Sequence, residues 1–139
     1  MQNHTPEVIV VDEISRYAEA VACRDIKERG VRVVATAHGD FTSLLGSPEL
    51  NTVLGGKTQV IIGDAMAKKT GGSKLRTERA GAPVFDVVVE LRPPGEDWLV
   101  INDVAAAVDE ILKGNGRSFY RLQRRRCKPA AAGAAVAGA

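Results

Sequence analysis

The chain has 139 residues, of which 45% are hydrophobic and 26% charged, proportions typical of one folded domain of ordinary size. It has no run of eighteen apolar residues and no recognisable signal or transit peptide, so we expect neither a membrane span nor a targeting segment. The net charge of +2 conceals an asymmetry: all 17 acidic residues lie before residue 114, and the charged residues among the last 26 are all basic.

The first predicted element is a strand at Glu7–Ile14 with four consecutive β-branched residues. A run without alternation is typical of a strand buried on both faces of a parallel sheet. Asp12 and Glu13 follow at its carboxyl end, where open α/β sheets bind ligands. In P-loop NTPases this arrangement is the Walker B segment, in which the first carboxylate holds Mg²⁺ and the second orients water. The alternative is that two acids simply solvate a turn.

A helix is predicted over Ser15–Arg29, with Ser15 as N-cap and Gly30 just past its end. The valine-rich run Val31–Ala37 predicts a second strand, parallel to the first. Thr36 and His38 would then emerge beside the two carboxylates and could sense a phosphate or orient water. A histidine at a strand end also suits a hydrogen-bonded surface position, and the sequence leaves both readings open.

Two short helices are predicted at Phe41–Leu45 and Pro48–Leu54, and a third buried strand at Gln59–Gly63, followed by helical turns at Asp64–Lys69. Residues 51–58 nearly match the phosphate-loop pattern G-x-x-x-x-G-K-[ST]. A phosphate loop must follow a strand and open a helix. Here a helix precedes the match and a strand follows it, so we reject a phosphate loop.

Three further strand-like runs, at 74–79, 84–91 and 98–101, are joined by turn-rich segments that favour antiparallel pairing. Asp86 and Glu90 indicate a wet face on the second run. Arg76 and Arg79, on the first, are candidate contacts for nucleotide phosphate, although solvated strand-edge arginines fit as well. A helix capped by Asn102 or Asp103 should extend to Lys113.

Residues 115–139 look separate from the body at 1–114. The stretch Arg117–Lys128 is basic with two aromatic residues and could bind nucleic acid, although a basic terminus is as often a solvating tail. Pro129–Ala139 contains only Pro, Ala, Gly and Val, so we expect a disordered tail. Cys23 and Cys127 lack metal-ligand spacing, which predicts reduced thiols.

Several of these motifs together resemble the C-terminal part of the ATPase domain of plastid and cyanobacterial homologues of stage III sporulation protein AA. The likeness covers roughly residues 2–113 and rests on segments 3–14, 28–31, 34–39, 54–56, 63–64, 78–79 and 84–86. It implies a RecA-like P-loop core in which Asp12 is the magnesium-side residue, Glu13 activates water, and Thr36 and His38 form the sensor region. It also implies ATP and Mg²⁺ as ligands, an oligomer and a plastid location, with a cytoplasmic location as the alternative.

The chain departs from that pattern at Ser15–Tyr17, where small and acidic residues are expected, and in its basic carboxyl end. The family's phosphate loop would lie before residue 1. We therefore expect a partial RecA-like core, an antiparallel meander and a C-terminal helix, with ATP bound tightly only in a longer or split protein. The alternatives are a non-catalytic interaction module, which self-associates or pairs with an N-terminal ATPase half, and a nucleic-acid-binding accessory protein.

Overall fold

The computed structural model describes residues 6–63, 71, 74–93, 96 and 98–115, and the backbone of 124–127. Its first unit is strand–helix–strand: β1 (Val8–Val11), α1 (Tyr17–Glu28) and β2 (Arg32–Ala35). The two strands pair in parallel, with Val8 opposite Arg32 and Val11 opposite Ala35. The prediction of two parallel strands joined by a helix is confirmed.

The two faces of this small sheet differ, and the prediction that both are buried is wrong. Ile9, Val11, Val33 and Ala35 face inward, all but Ile9 packing against the hydrophobic core. Val8, Val10 and Val34, on the other face, are 45%, 73% and 53% exposed. We call these three residues the valine face. The apolar run identified the strand correctly, but no described element covers its second side.

Strand β3 (Lys57–Ile61) also differs from expectation. It pairs antiparallel with β4 (Leu75–Arg79), with Lys57 opposite Arg79 and Ile61 opposite Leu75, so it does not extend the parallel sheet. All its residues except Val60 are exposed, and the prediction of a third buried strand is wrong. Strand propensity does not specify pairing direction, and the polar residues at the start of β3 suit a solvated ribbon. The helical turns predicted at Asp64–Lys69 lie outside the described residues.

The third sheet has the order β5 (Val88–Glu90), β6 (Trp98–Ile101) and β7 (Arg124–Cys127), with both pairings antiparallel. Strand β7 lies within the segment that was expected to be a separate tail. It is not separate, because its backbone pairs with β6 on the side opposite β5. The rest of the expected tail, at 116–123 and 128–139, lies outside the described residues, and with it most of the predicted nucleic-acid-binding stretch.

The remaining helices are α2 (Phe41–Gly46), a 3₁₀ helix (Asn51–Leu54) and α3 (Val104–Leu112). Asp103 caps α3 as predicted, accepting a hydrogen bond from the Ala106 N–H. At α1 the N-cap is Arg16, not Ser15. Glu19 stabilises the start of α1 at this position, because its carboxylate accepts hydrogen bonds from the backbone N–H groups of Ser15 and Arg16 at 2.8 and 3.0 Å. These bonds hold the pKa of Glu19 below its usual range.

A single hydrophobic core joins the helices to the β1–β2 sheet and to β5 and β6. Its most completely buried large side chains are Phe41, Leu54, Ile101, Val104, Val108 and Cys23. The architecture is a mixed α/β fold with small sheets and three α-helices among the described residues. Each described helix is too short or too polar to cross a membrane.

Candidate functional site

Asp12, Glu13, Thr36 and His38 come together where β1 and β2 end, and we call this set the carboxylate corner. The Thr36 hydroxyl donates to Asp12 Oδ1 at 2.7 Å and accepts the Glu13 backbone N–H at 2.7 Å. Parallel strands bring their carboxyl ends to the same edge, which is why residues 24 positions apart in sequence meet here. The Thr36 side chain therefore links both acidic positions to the neighbouring strand.

The backbone at Glu13 is strained. Its φ of +54° makes it the one described non-glycine residue with a positive φ. For a residue with a Cβ this left-handed conformation costs about 1 kcal/mol or more. The conformation is held by the bond to the Thr36 hydroxyl and by the next residue, since the Ile14 N–H donates to the Thr36 carbonyl at 2.8 Å. Backbone strain of this kind is concentrated at functional sites.

His38 completes the corner from the loop between β2 and α2. Its Nε2 lies 3.4 Å from Glu13 Oε1, and the two side chains are 89% and 63% exposed. An imidazole beside an exposed carboxylate can exchange protons with a bound molecule. Within the described ranges, no group of three or more His, Cys, Asp or Glu side chains is arranged to hold a metal by itself. Any metal here would need further oxygen ligands from water or a phosphate, as is usual for Mg²⁺.

The two predicted phosphate-contacting arginines lie elsewhere. Arg79 and Arg76 are on β4, in a different sheet from Asp12, and they border a depression of about 310 Å³ beside α3. Arg79 makes two hydrogen bonds to the Asp109 carboxylate, at 3.0 and 3.2 Å, and another to the Gly81 carbonyl. The bond to Asp109 raises the pKa of Arg79. Because β4 pairs with β3, these arginines belong to a different sheet from β1 and β2, and their contact with nucleotide phosphate stays a prediction.

The near match to a phosphate loop forms a different structure, in agreement with its rejection from sequence. The 3₁₀ helix ends at Leu54, Gly55 and Gly56 both adopt positive φ, and β3 begins at Lys57. The glycines are required by this turn: a Cβ on Gly55 would lie 2.5 Å from the Gly81 carbonyl oxygen. No helix follows, so no helix amino terminus is available at this turn to bind phosphate.

Glu90 was misassigned from sequence. It was expected on a wet face, but it is 8% exposed, whereas Asp86 has an exposed carboxylate paired with Lys27 at 3.1 Å. Glu90 Oε1 accepts the backbone N–H of Phe41 at 3.0 Å, and Oε2 lies 3.3 Å from Arg92. The available signal was an acid inside an apolar strand with a basic residue two positions later. That pattern indicates a paired internal charge as well as a solvated one.

The amino-acid sequence of the chain is similar to those of three plastid-related proteins. The chain is 42% identical over 116 residues to the uncharacterised protein ycf45 of Porphyra purpurea and 38% identical over 126 residues to SEEDLING PLASTID DEVELOPMENT 1 of Arabidopsis thaliana. It is 33% identical over 115 residues to ycf45 of Cyanidium caldarium. These matches cover 83%, 90% and 82% of the chain. Its homologues are ycf45 and SEEDLING PLASTID DEVELOPMENT 1 proteins.

This finding corrects the assignment to the sporulation-protein ATPase family, because the matching proteins carry other names and none identifies a P-loop ATPase. No family model matches the chain, and no solved structure matches it, so no structural neighbour shows a RecA-like core. The chain spans 20%, 18% and 34% of the three relatives' lengths. All three come from plastid-bearing organisms, which suggests a plastid setting for these homologues.

Proposed function

We propose that this chain supplies the magnesium- and water-binding side of a nucleoside-triphosphate hydrolase whose phosphate-binding loop lies on another segment of a longer or split protein. The observation that carries the proposal is the carboxylate corner, with a strained Glu13 held against Thr36 at the carboxyl edge of two parallel strands. The matched region covers only 20%, 18% and 34% of the three relatives, whose remaining length leaves room for such a segment.

Each residue of the corner has a distinct role in this proposal. Asp12 accepts the Thr36 hydroxyl and presents a carboxylate of fixed orientation, as a ligand or a water-mediated contact for Mg²⁺ requires. Mg²⁺, when bound with the triphosphate, would neutralise charge on the phosphates. Glu13 would accept a proton from the attacking water, and His38, 3.4 Å from the Glu13 carboxylate, would contact the terminal phosphate. The corner lacks a cationic cradle for phosphate, so tight binding of ATP requires the second segment.

Paramagnetic Mn²⁺ tests the metal side of this proposal directly. Titrated into the ¹⁵N-labelled chain as a substitute for Mg²⁺, it should broaden the amide signals of residues 12, 13, 36 and 38 before those of other exposed acids. Asp12→Asn should abolish the selective broadening, whereas Asp86→Asn, at an exposed carboxylate paired with Lys27, should leave it intact. Equal broadening at all exposed carboxylates would contradict the proposal.

The nucleotide side is tested with ATP in the presence of Mg²⁺. The isolated chain should show neither tight ATP binding nor hydrolysis above that of a Glu13→Gln variant, because the principal phosphate contacts are not among its residues. Measurable turnover that Glu13→Gln leaves unchanged would show that a different site performs the chemistry. Turnover that Glu13→Gln abolishes would overturn the requirement for a second segment.

The valine face favours a second candidate, a non-catalytic interaction module that associates with another copy of this chain. Parallel sheets are nearly always covered on both faces, and an apolar face left open is a site for association. Within the part of the chain that the structure describes, β1 and β2 pair only with each other, and strand edges of this kind can pair with a strand of a neighbouring molecule. From the source of the homologues we further infer that the protein acts in a plastid.

A further inference from the structure

We propose that Glu90 is a positioning residue that holds His38 against Glu13 through the amino end of α2. This inference rests on the proposed function of the carboxylate corner and assigns a role to a buried acid that the corner itself does not contain. Glu90 lies on β5, in a different sheet from β1 and β2, so it acts on the corner from outside the parallel unit.

The first step is the contact between Glu90 and α2. The carboxylate accepts the backbone N–H of Phe41, the first residue of α2, at 3.0 Å. This N–H has no partner within the helix because it belongs to the first turn. Phe41 is fully buried, so the contact joins the backbone of a core residue to a side chain on β5. Arg92 lies 3.3 Å from the second carboxylate oxygen and compensates part of the buried charge.

The second step is the short distance along the chain from Phe41 to His38. Phe41 is three positions after His38, and both intervening residues are constrained. Gly39 has a φ of +100°, and its hypothetical Cβ would lie 3.2 Å from the Cβ of Ser43. Asp40 caps α2, accepting the Ser43 N–H at 2.7 Å and its hydroxyl at 2.8 Å. A loop with so little freedom transmits the position of Phe41 to His38.

The third step is that His38 has no comparable support of its own. Its side chain is 89% exposed, and its described contact is the 3.4 Å approach to Glu13. A single exposed ion pair is worth little free energy and does not fix a side chain. The approach therefore depends on where the loop between β2 and α2 places the His38 backbone. Glu90 ties the far end of this loop to another sheet.

Replacement of Glu90 separates positioning from general support of the fold. The readout is the nuclear Overhauser effect between the His38 ring and the Glu13 side chain, and the chain's two histidines are distinguished with a His38→Gln spectrum. Glu90→Ala removes the acceptor and should abolish the effect. Glu90→Gln keeps an acceptor oxygen and should retain it. Asp86→Asn, which alters an exposed ion pair just before the same strand, is the matched control and should also retain it.

If Glu90→Ala does not fold, hydrogen exchange in the unaltered chain and in Glu90→Gln still tests the contact between Glu90 and Phe41. Hydrogen exchange at the Phe41 amide should be slow in the native chain and about tenfold faster in Glu90→Gln, since a charged acceptor makes the stronger hydrogen bond. An unprotected Phe41 amide, or a His38–Glu13 effect that persists in folded Glu90→Ala, would overturn the inference. These readouts are independent of Mn²⁺ and ATP, so failure of the positioning role and failure of the proposed function are distinguishable.

Discussion

At the scale of single residues, one hydroxyl group organises the carboxylate corner. Thr36 Oγ1 is at once the donor to Asp12 and the acceptor for the Glu13 amide, so a single side chain fixes an acid and offsets the strain at its neighbour. Threonine suits this position because its β-branched carbon fits the end of a strand while its oxygen both donates and accepts.

Thr36→Val should destabilise the fold by about 1 kcal/mol, because the same shape without the hydroxyl leaves Asp12 and the Glu13 amide without this partner. Thr36→Ser, which keeps the hydroxyl, is the matched control and should cost less. Urea denaturation followed by circular dichroism measures the free energy of unfolding. Equal stability of Thr36→Val and the unaltered chain would show that water replaces the hydroxyl at no cost.

At the scale of elements, α2 is short, so its stability depends on its first turn. The carboxylate of Asp40 accepts both the backbone N–H and the hydroxyl of Ser43. The backbone bond is the largest influence that holds the pKa of Asp40 below its usual range, followed by the bond from the hydroxyl. The folded chain therefore favours the ionised form of Asp40, which couples the stability of this helix to pH.

Asp40→Ala should lower the free energy of unfolding by about 1 kcal/mol near neutral pH. Because the folded pKa is depressed, the stabilisation is complete above the ordinary aspartate pKa of about 3.9 and is lost as the pH falls through the lower folded value. The difference between Asp40→Ala and the unaltered chain should therefore shrink in acid. Asp40→Asn, an uncharged cap, should show no such pH dependence at this position. A difference that is constant from neutral to acid pH would contradict this account.

At the scale of the whole molecule, one face of the β1–β2 sheet packs on the core while its other face leaves apolar side chains exposed. The helices, the inner face of the β1–β2 sheet and residues of β5 and β6 form one core, yet Val8, Val10 and Val34 lie on a face that no described element covers. Isolated exposed apolar residues are ordinary, but three on adjacent parallel strands form a patch. This face is the observation behind the interaction module considered above.

Val10→Lys should therefore reduce association between copies of the chain, since a charge at the most exposed position of the valine face opposes burial there. Sedimentation velocity over a range of concentrations measures the change. Thr58→Lys, on the exposed strand β3, is the control and should leave association unchanged. An unaltered chain that remains monomeric at every concentration would contradict self-association through this face.

Local pattern was sufficient for much of the fold. The β1–α1–β2 unit and a cap of α3 at Asn102 or Asp103 were predicted, because each depends on patterns within short segments of the sequence. The meeting of Asp12, Glu13, Thr36 and His38 also followed from the sequence, since two parallel strands joined by a helix must end at the same edge. Their chemical roles stay a prediction.

The tertiary structure alone decided what depends on pairing partners and burial. Strand β3 pairs antiparallel with β4, and Arg79 forms an ion pair with Asp109. Glu90 is buried and accepts the backbone N–H of Phe41. Apolar periodicity reports that a segment is extended, but the identity of its neighbour depends on contacts between residues far apart along the chain. The sequence by itself therefore determined the elements and the edge where the acids meet, and the packing of distant elements determined which charges are buried and which face stays open.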